Sequence, residues 1–147
     1  MAAEAEILEE LARLRARVPQ LTGALVAGTD GLILAQDCRP VDAEGTAALT
    51  AAALAVALRL SGAAGHGEFR ELVVRAESGY AAVYAAGASA ALTVFAEPRT
   101  NVGRLHLEAR RAGARLGELV DGALERPDRT QVQPRRERNE PSWPRQT

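Results

Sequence analysis

The chain has 147 residues, which is the length of one domain with a single hydrophobic core. All 18 of its basic residues are arginine, and the absence of lysine excludes Walker A nucleotide binding, protein-kinase chemistry and Schiff-base catalysis. The formal charge is −1, and residues 126–147 hold six arginines against three acids, so residues 1–125 carry a net charge of −4. This negative balance argues against a folded nucleic-acid surface.

The first part of the chain predicts a helix followed by a hairpin. Apolar residues recur at helical spacing at Ile7, Leu11, Leu14 and Val18. Pro19 ends this helix. The segment GALVAGTDGLILA, residues 23–35, then places two apolar runs on either side of an Asp30-Gly31 turn. Asp-Gly between apolar runs is a strong hairpin signal, and Gly31 can adopt the positive φ that such a turn requires.

The rest of the folded part predicts a helix, three strands and a last helix. Asp42 is placed to cap the second helix, which runs to about Ala64 and ends in glycines at 62, 65 and 67. Residues 72–76, 80–86 and 90–96 have the composition of strands separated by short turns. The last helix begins near Thr100 or Asn101, with a predicted buried stripe of Leu105, Ala109, Ala112, Leu116, Leu119 and Ala123.

The predicted order α-β-β-α-β-β-β-α indicates an α+β domain over residues 1–125. Its five antiparallel strands need helices on one face, because a sheet of this size must bury that side. Residues 126–147 contain four prolines and few aliphatic side chains. They are predicted to form a disordered tail, because they cannot offset the entropy of ordering.

The second helix is apolar on two opposite sides, and this pattern predicts a homodimer. One stripe consists of Leu49, Ala53, Val56 and Leu60, and the other of Ala47, Ala51, Leu54 and Leu58. A single sheet can cover only one of them. We assign the alanine-richer stripe to a second copy, because alanine permits close helix approach. Strand 72–76 is a possible edge strand for pairing with the second copy, so the predicted interface is Ala47, Ala51, Leu54, Leu58, Leu72, Val73 and Val74. The alternative is that this stripe lies under another helix of the same chain.

The segment from Val18 to Leu124 resembles the roadblock/dynein light-chain family. The resemblance rests on VPQLTGALVAGTDGLILA, on the alanine-rich helix after Asp42, on ELVVRAESGYAAVYAAG and on ALTVFAEPRTNVGRLHLEARR. It implies a profilin-like architecture, dimerisation through the second helix and third strand, and no active site. For bacterial members it also implies action on, or scaffolding of, a small Ras-like GTPase. Gln20, where many relatives have glycine, and the basic C-terminal segment depart from the family pattern.

No residue cluster in the sequence predicts a metal, a cofactor or a nucleophile. His66 and His106 lack nearby ligand-type residues, and Cys38 has no base placed beside it. Arg104, Arg111 and Arg115 lie on one side of the last helix, either as a solvated face or as a docking surface for an acidic partner. A single cysteine favours a reducing, cytoplasmic setting. Neither a signal peptide nor an apolar run of about 20 residues is apparent.

These observations predict a non-enzymatic, cytoplasmic, homodimeric adaptor that binds a small Ras-like GTPase and modulates its nucleotide cycle or localisation. The fold and the dimer follow from the pattern, and the GTPase follows from the resemblance. The alternative is a dimeric scaffold or small-ligand sensor without a GTPase partner. A hydrolase-type enzyme would require a nucleophile beside a base, and the sequence supplies none.

Overall fold

The computed structural model describes residues 2–38 and 42–125, which form three helices and five strands. In chain order these are α1 (Ala2–Arg17), β1 (Leu21–Gly28), β2 (Ile33–Cys38), α2 (Ala43–Ala63), β3 (Glu71–Ala76), β4 (Gly79–Ala86), β5 (Ala90–Ala96) and α3 (Val102–Glu125). The predicted order and α+β class are confirmed. The predicted tail, residues 126–147, lies outside the described residues.

The strands form one antiparallel sheet in the order β2-β1-β5-β4-β3. β1 and β2 form the predicted hairpin, with Gly31 at φ 87°. β1 then pairs with β5 on its other side, so the last strand lies at the centre of the sheet. β2 and β3 are consequently the two edges of the sheet within the described chain.

Helices cover both faces of the sheet, whereas the sequence analysis expected them on one. The main core lies between the sheet and the pair α1 and α3, and Leu11, Leu14, Tyr84, Leu92 and Leu116 are almost fully buried there. The opposite face carries small and branched residues of β1, β4 and β5, and α2 crosses it. The second helical layer exists because both faces of the central strands are apolar.

Two helix ends differ in how they are capped. Asp42 occupies the N-cap of α2 with extended backbone angles, as predicted, but its side chain makes no capping hydrogen bond. At α3 the Asn101 Oδ1 accepts a hydrogen bond of 3.1 Å from the backbone N–H of Arg104, so Asn101 is the cap. The predicted buried stripe of α3 is correct from Leu105 to Leu116, but Ala123 is exposed and Val120 is buried in the last turns.

Helix α2 is unusually apolar for the amount of it that is buried. By length and composition it could cross a membrane, with a mean hydropathy of 1.5, and 17% of that window is buried. Both ends of α2 connect to edge strands of the same sheet, and its middle packs on that sheet. In this fold α2 therefore lies across the sheet, with one side uncovered.

Candidate partner-binding surface

One side of α2 packs on the sheet of its own chain. Ala47 is fully buried against β1, and Leu54 is 6% exposed against β4 and β5. Between them, Thr93 Oγ1 of β5 donates a hydrogen bond of 3.1 Å to Thr50 Oγ1. Positions 47, 50 and 54 therefore define the sheet-facing side of the helix.

The opposite side of α2 has no cover within the described chain. Leu49, Val56 and Leu60 are 73%, 67% and 69% exposed. Ala53 lies half-buried on the same side. We call these four residues the outer stripe. Three large apolar side chains in a row on one helix are more than the isolated exposed residues found on most protein surfaces.

The predicted dimer interface was therefore wrong at two residues of α2. Ala47 and Leu54 were assigned to a second copy, but the sheet of the same chain buries both. Ala51 is half-buried and Leu58 is 48% exposed, at the border of the sheet contact. The alanines bring α2 into contact with the β1–β2 turn, because a Cβ placed at Gly31 would lie 3.7 Å from Ala51 Cβ and 3.8 Å from Ala48 Cα.

Strand β3 adds an open edge beside the outer stripe. It pairs only with β4, so its outer backbone groups have no strand partner within the described chain. Val74 is 53% exposed and Val73 is 36% exposed, whereas Leu72 is half-buried beside Leu54. A groove of about 410 Å³ separates β3 from the outer stripe. Its apolar lining is Ala53, Val56, Ala57, Leu60, Phe69 and Leu72.

A polar cluster fastens the start of β3 to α3. Arg110 of α3 forms a two-point ion pair with Glu71, with one contact at 3.3 Å from Nε to Oε2. This hydrogen bond holds the pKa of the Glu71 carboxyl below its usual range. The Tyr84 hydroxyl is hydrogen-bonded at 2.7 Å to Nδ1 of His106. Burial, followed by the charge of Glu71, raises the pKa of Tyr84, so this phenol remains protonated.

The three predicted docking arginines do not form one free surface. Arg115 Nε donates to Glu10 Oε1 of α1 at 2.6 Å, and Glu10 is only 2% exposed, so this pair joins the two helices. Arg111 lies 3.9 Å from Glu108 and is exposed. Arg104 is exposed and has no ion pair among the described residues. Arg104 and Arg111 thus remain available for a partner, and Arg115 has a structural role.

Within residues 2–38 and 42–125, no group of three or more His, Cys, Asp or Glu residues is arranged to hold a metal ion. His66 lies exposed in the loop after α2, and His106 is engaged with Tyr84. The surface formed by α2 and β3 consists mainly of apolar side chains and an unpaired strand edge within the described chain.

Comparison with known proteins identifies the family of the chain. The Roadblock/LC7 domain matches residues 7–96, which is more than half of the chain. The chain belongs to the Roadblock/LC7 family. Roadblock/LC7 domains are regulatory and adaptor modules rather than classical enzymes. A search of the curated proteins found no match.

Solved Roadblock/LC7 structures share the fold of this chain. MglB in a tetrameric arrangement is 23% identical, with 84% of this chain and 93% of that chain covered and a TM-score of 0.78. The gliding protein MglB from Thermus thermophilus is 23% identical over 83% and 93%, with a TM-score of 0.77. A Roadblock/LC7 domain from Streptomyces avermitilis is 27% identical over 78% and 94%, with a TM-score of 0.67.

Periodicity alone did not locate the outer stripe of this Roadblock/LC7 domain. Both sides of α2 have the same helical spacing of apolar residues, so the pattern predicted two faces without ranking them. A difference in side-chain size was the one available signal. The sheet-facing side carries Ala47 and Thr50 at its closest approach to β1 and β5, and the outer stripe carries three large side chains.

Proposed function

We propose that this Roadblock/LC7 protein is a homodimeric regulator that binds a small Ras-like GTPase in the cytoplasm. The observation that carries the dimer is the outer stripe of α2 lying beside the unpaired edge of β3. A second copy related by a twofold axis covers the outer stripe with its own α2 and extends the sheet through antiparallel β3–β3 pairing.

The apolar area favours this dimer. Two copies together contribute six large side chains at Leu49, Val56 and Leu60. Their burial is worth about 9 to 18 kcal/mol at roughly 1.5 to 3 kcal/mol each. Association costs about 4 to 15 kcal/mol, so hydrogen bonds along β3 add to a contact that the helices alone make only marginally stable.

The GTPase partner is supported by the family resemblance. The resemblance implies that bacterial members of the family act on, or scaffold, small Ras-like GTPases and have no active site of their own. The surface formed by α2 and β3 is suited to binding a protein, because it offers apolar contacts and a strand edge. We therefore propose that this protein modulates the nucleotide cycle or the localisation of its GTPase partner.

The dimer is tested by placing a charge in the outer stripe. Val56→Glu should give a folded monomer, because two carboxylates would be buried opposite each other at the interface. Ala55→Glu is the matched control: Ala55 is exposed and lies on the flank of α2 nearer the β1–β2 turn. Light scattering after gel filtration at micromolar concentration in about 0.5 M salt, where contacts between exposed charges are screened, should report a dimer for the wild type and the control. A wild-type monomer, or a dimeric Val56→Glu variant, would refute this interface.

The partner is tested separately. Immobilised wild-type protein is offered a panel of bacterial Ras-like GTPases loaded with GDP or with a non-hydrolysable GTP analogue, and binding and GTP hydrolysis are measured. The proposal expects one GTPase to bind in only one nucleotide state. No binding across the panel would favour the scaffold or small-ligand sensor without a GTPase partner, and equal binding in both states would contradict a role in the nucleotide cycle. Neither result affects the test of the dimer.

A further inference from the structure

The outward side of α3 carries a second ordered stripe that the proposed function does not use. Positions 104, 107, 111, 114, 118, 121 and 125 are spaced alternately by three and four residues, which places them on one side of the helix. On one flank of this stripe Glu108 and Arg115 face α1, and on the other His106 and Arg110 face β4 and β3. The stripe between these flanks therefore faces away from the domain.

The charges of this stripe are separated by sign. Arg104 and Arg111 lie in its N-terminal half, and Glu118 and Glu125 lie in its C-terminal half. All four are exposed. Among the described residues their only ion pair is the 3.9 Å contact of Arg111 with Glu108. At the centre of the stripe lies the exposed residue Ala114.

This order of charges is the reverse of what an isolated helix favours. Acids stabilise the N-terminal turn and bases the C-terminal turn, because of the helix dipole. The first turn of α3 has no acid and its last turn has no base. The α3 dipole therefore does not account for the arrangement, whereas an antiparallel copy of the same helix complements its four exposed charges.

We propose that this stripe is a second self-association surface, in which two α3 helices pair antiparallel about a twofold axis next to Ala114, between positions 114 and 115. In this register Arg104 faces Glu125 of the other copy, and Arg111 faces Glu118. The small side chain of Ala114 permits close approach at the axis. Leu107, 49% exposed, faces the Asp121 position, whose carboxylate lies beside the backbone of Gly87 in its own chain.

A single α3–α3 contact is weak, and dimerisation through α2 and β3 strengthens it. Exposed ion pairs each strengthen binding only a few-fold, and salt screens them. The charged stripe of α3 lies on the face of the sheet that α1 and α3 cover, and the outer stripe of α2 lies on the other face. Association through either stripe therefore leaves the other stripe accessible. A dimer presents two α3 stripes, and the second contact with the same neighbour forms at a high effective concentration. The expected product is a tetramer at low salt.

The test is a charge exchange measured by sedimentation velocity from about 10 to 300 μM in low salt. Wild-type protein should associate beyond the dimer, and added salt should reverse this. Arg111→Glu and Glu118→Arg should each weaken that step roughly tenfold, because each places two pairs of like charges at the contact. The double variant carrying both exchanges should restore it, since opposite charges then face each other again at these two positions. Arg99→Glu, an exposed change ahead of the helix, is the control.

The α3 contact can also be tested in a variant that lacks the α2 interface. In a Val56→Glu background the same stripe should produce a salt-sensitive monomer–dimer equilibrium with the same response to the exchanges. The inference is overturned if the wild type shows no further association up to about 300 μM, the highest concentration tested. It is equally overturned if the single exchanges leave association unchanged, or if the double variant associates no better than the single ones.

Discussion

At the scale of single residues, two glycines set the distance between α3 and the sheet. A Cβ at Gly113 would lie 2.6 Å from the Ala85 carbonyl oxygen, and one at Gly117 would lie 2.8 Å from the Cα of Gly87. Both contacts are with backbone, which cannot rotate away as a side chain can. The helix rests directly on β4 and its following turn at these points, so the absence of a side chain is a packing requirement.

Gly117→Ala should therefore destabilise the fold by about 1 to 3 kcal/mol through overpacking, despite the better helix propensity of alanine. Gly122→Ala in the same helix is the control, since nothing lies within 4 Å of its added Cβ. The control should be neutral or more stable by up to about 1 kcal/mol. Urea unfolding followed by circular dichroism measures both, and equal stability of the two variants would contradict the close contact.

Glu71 links the same helix to the edge strand in a way that depends on pH. Its folded pKa lies below the ordinary value of 4.5, chiefly through the hydrogen bond from Arg110. The pair therefore stabilises the fold fully above that ordinary value, and its contribution is lost as the pH falls through the lowered folded pKa. Glu71→Gln should be less stable than wild type at about pH 7, and the difference should shrink toward about pH 3. A difference in unfolding free energy that stays constant over this range would contradict this role.

At the scale of elements, α2 has two apolar sides, but the sheet of the described chain covers only one of them. The side carrying Ala47 and Leu54 closes the core over β1, β4 and β5, and the outer stripe remains available. Leucines 54 and 58 lie one turn apart in sequence but differ in exposure from 6% to 48%. This difference marks the border of the helix–sheet contact.

Replacing each of these leucines with alanine tests where the contact of α2 with the sheet ends. Leu54→Ala should cost about 2 to 5 kcal/mol, because it leaves a cavity against Val83 and Ala91. Leu58→Ala should cost less than about 1.5 kcal/mol, because half of that side chain is already in water. Chemical unfolding at a fixed protein concentration provides both values. A larger loss for Leu58→Ala would mean that the contact of α2 with the sheet is centred nearer Leu58 than Leu54.

At the scale of the whole molecule, the fold separates two surfaces of different character. The α2 face is apolar and adjoins the open edge of β3, whereas the outward side of α3 carries ordered charges. Since the two lie on opposite faces of one sheet, assembly through one does not obstruct the other. The proposed dimer predicts that the thermal stability of the chain depends on its concentration, through the apolar contact of α2.

We expect the melting temperature of the wild type to rise by several degrees between about 1 and 100 μM, because association stabilises only the folded state. The Val56→Glu variant should melt at a lower temperature that changes little over this range in about 0.5 M salt, where the charged α3 contact is screened. Differential scanning calorimetry at several concentrations measures this. A wild-type melting temperature independent of concentration would contradict association through α2.

The sequence by itself determined the local elements and their order. Asp30-Gly31 specified the hairpin, and the spacing from Leu105 to Leu116 specified the buried side of α3, because turn geometry and helical period act over a few residues. Only the tertiary structure decided which side of α2 meets the sheet and that Arg115 binds Glu10, 105 positions away in the chain. Both depend on where distant segments come to lie, and the helical spacing of the two stripes is the same whichever of them meets the sheet.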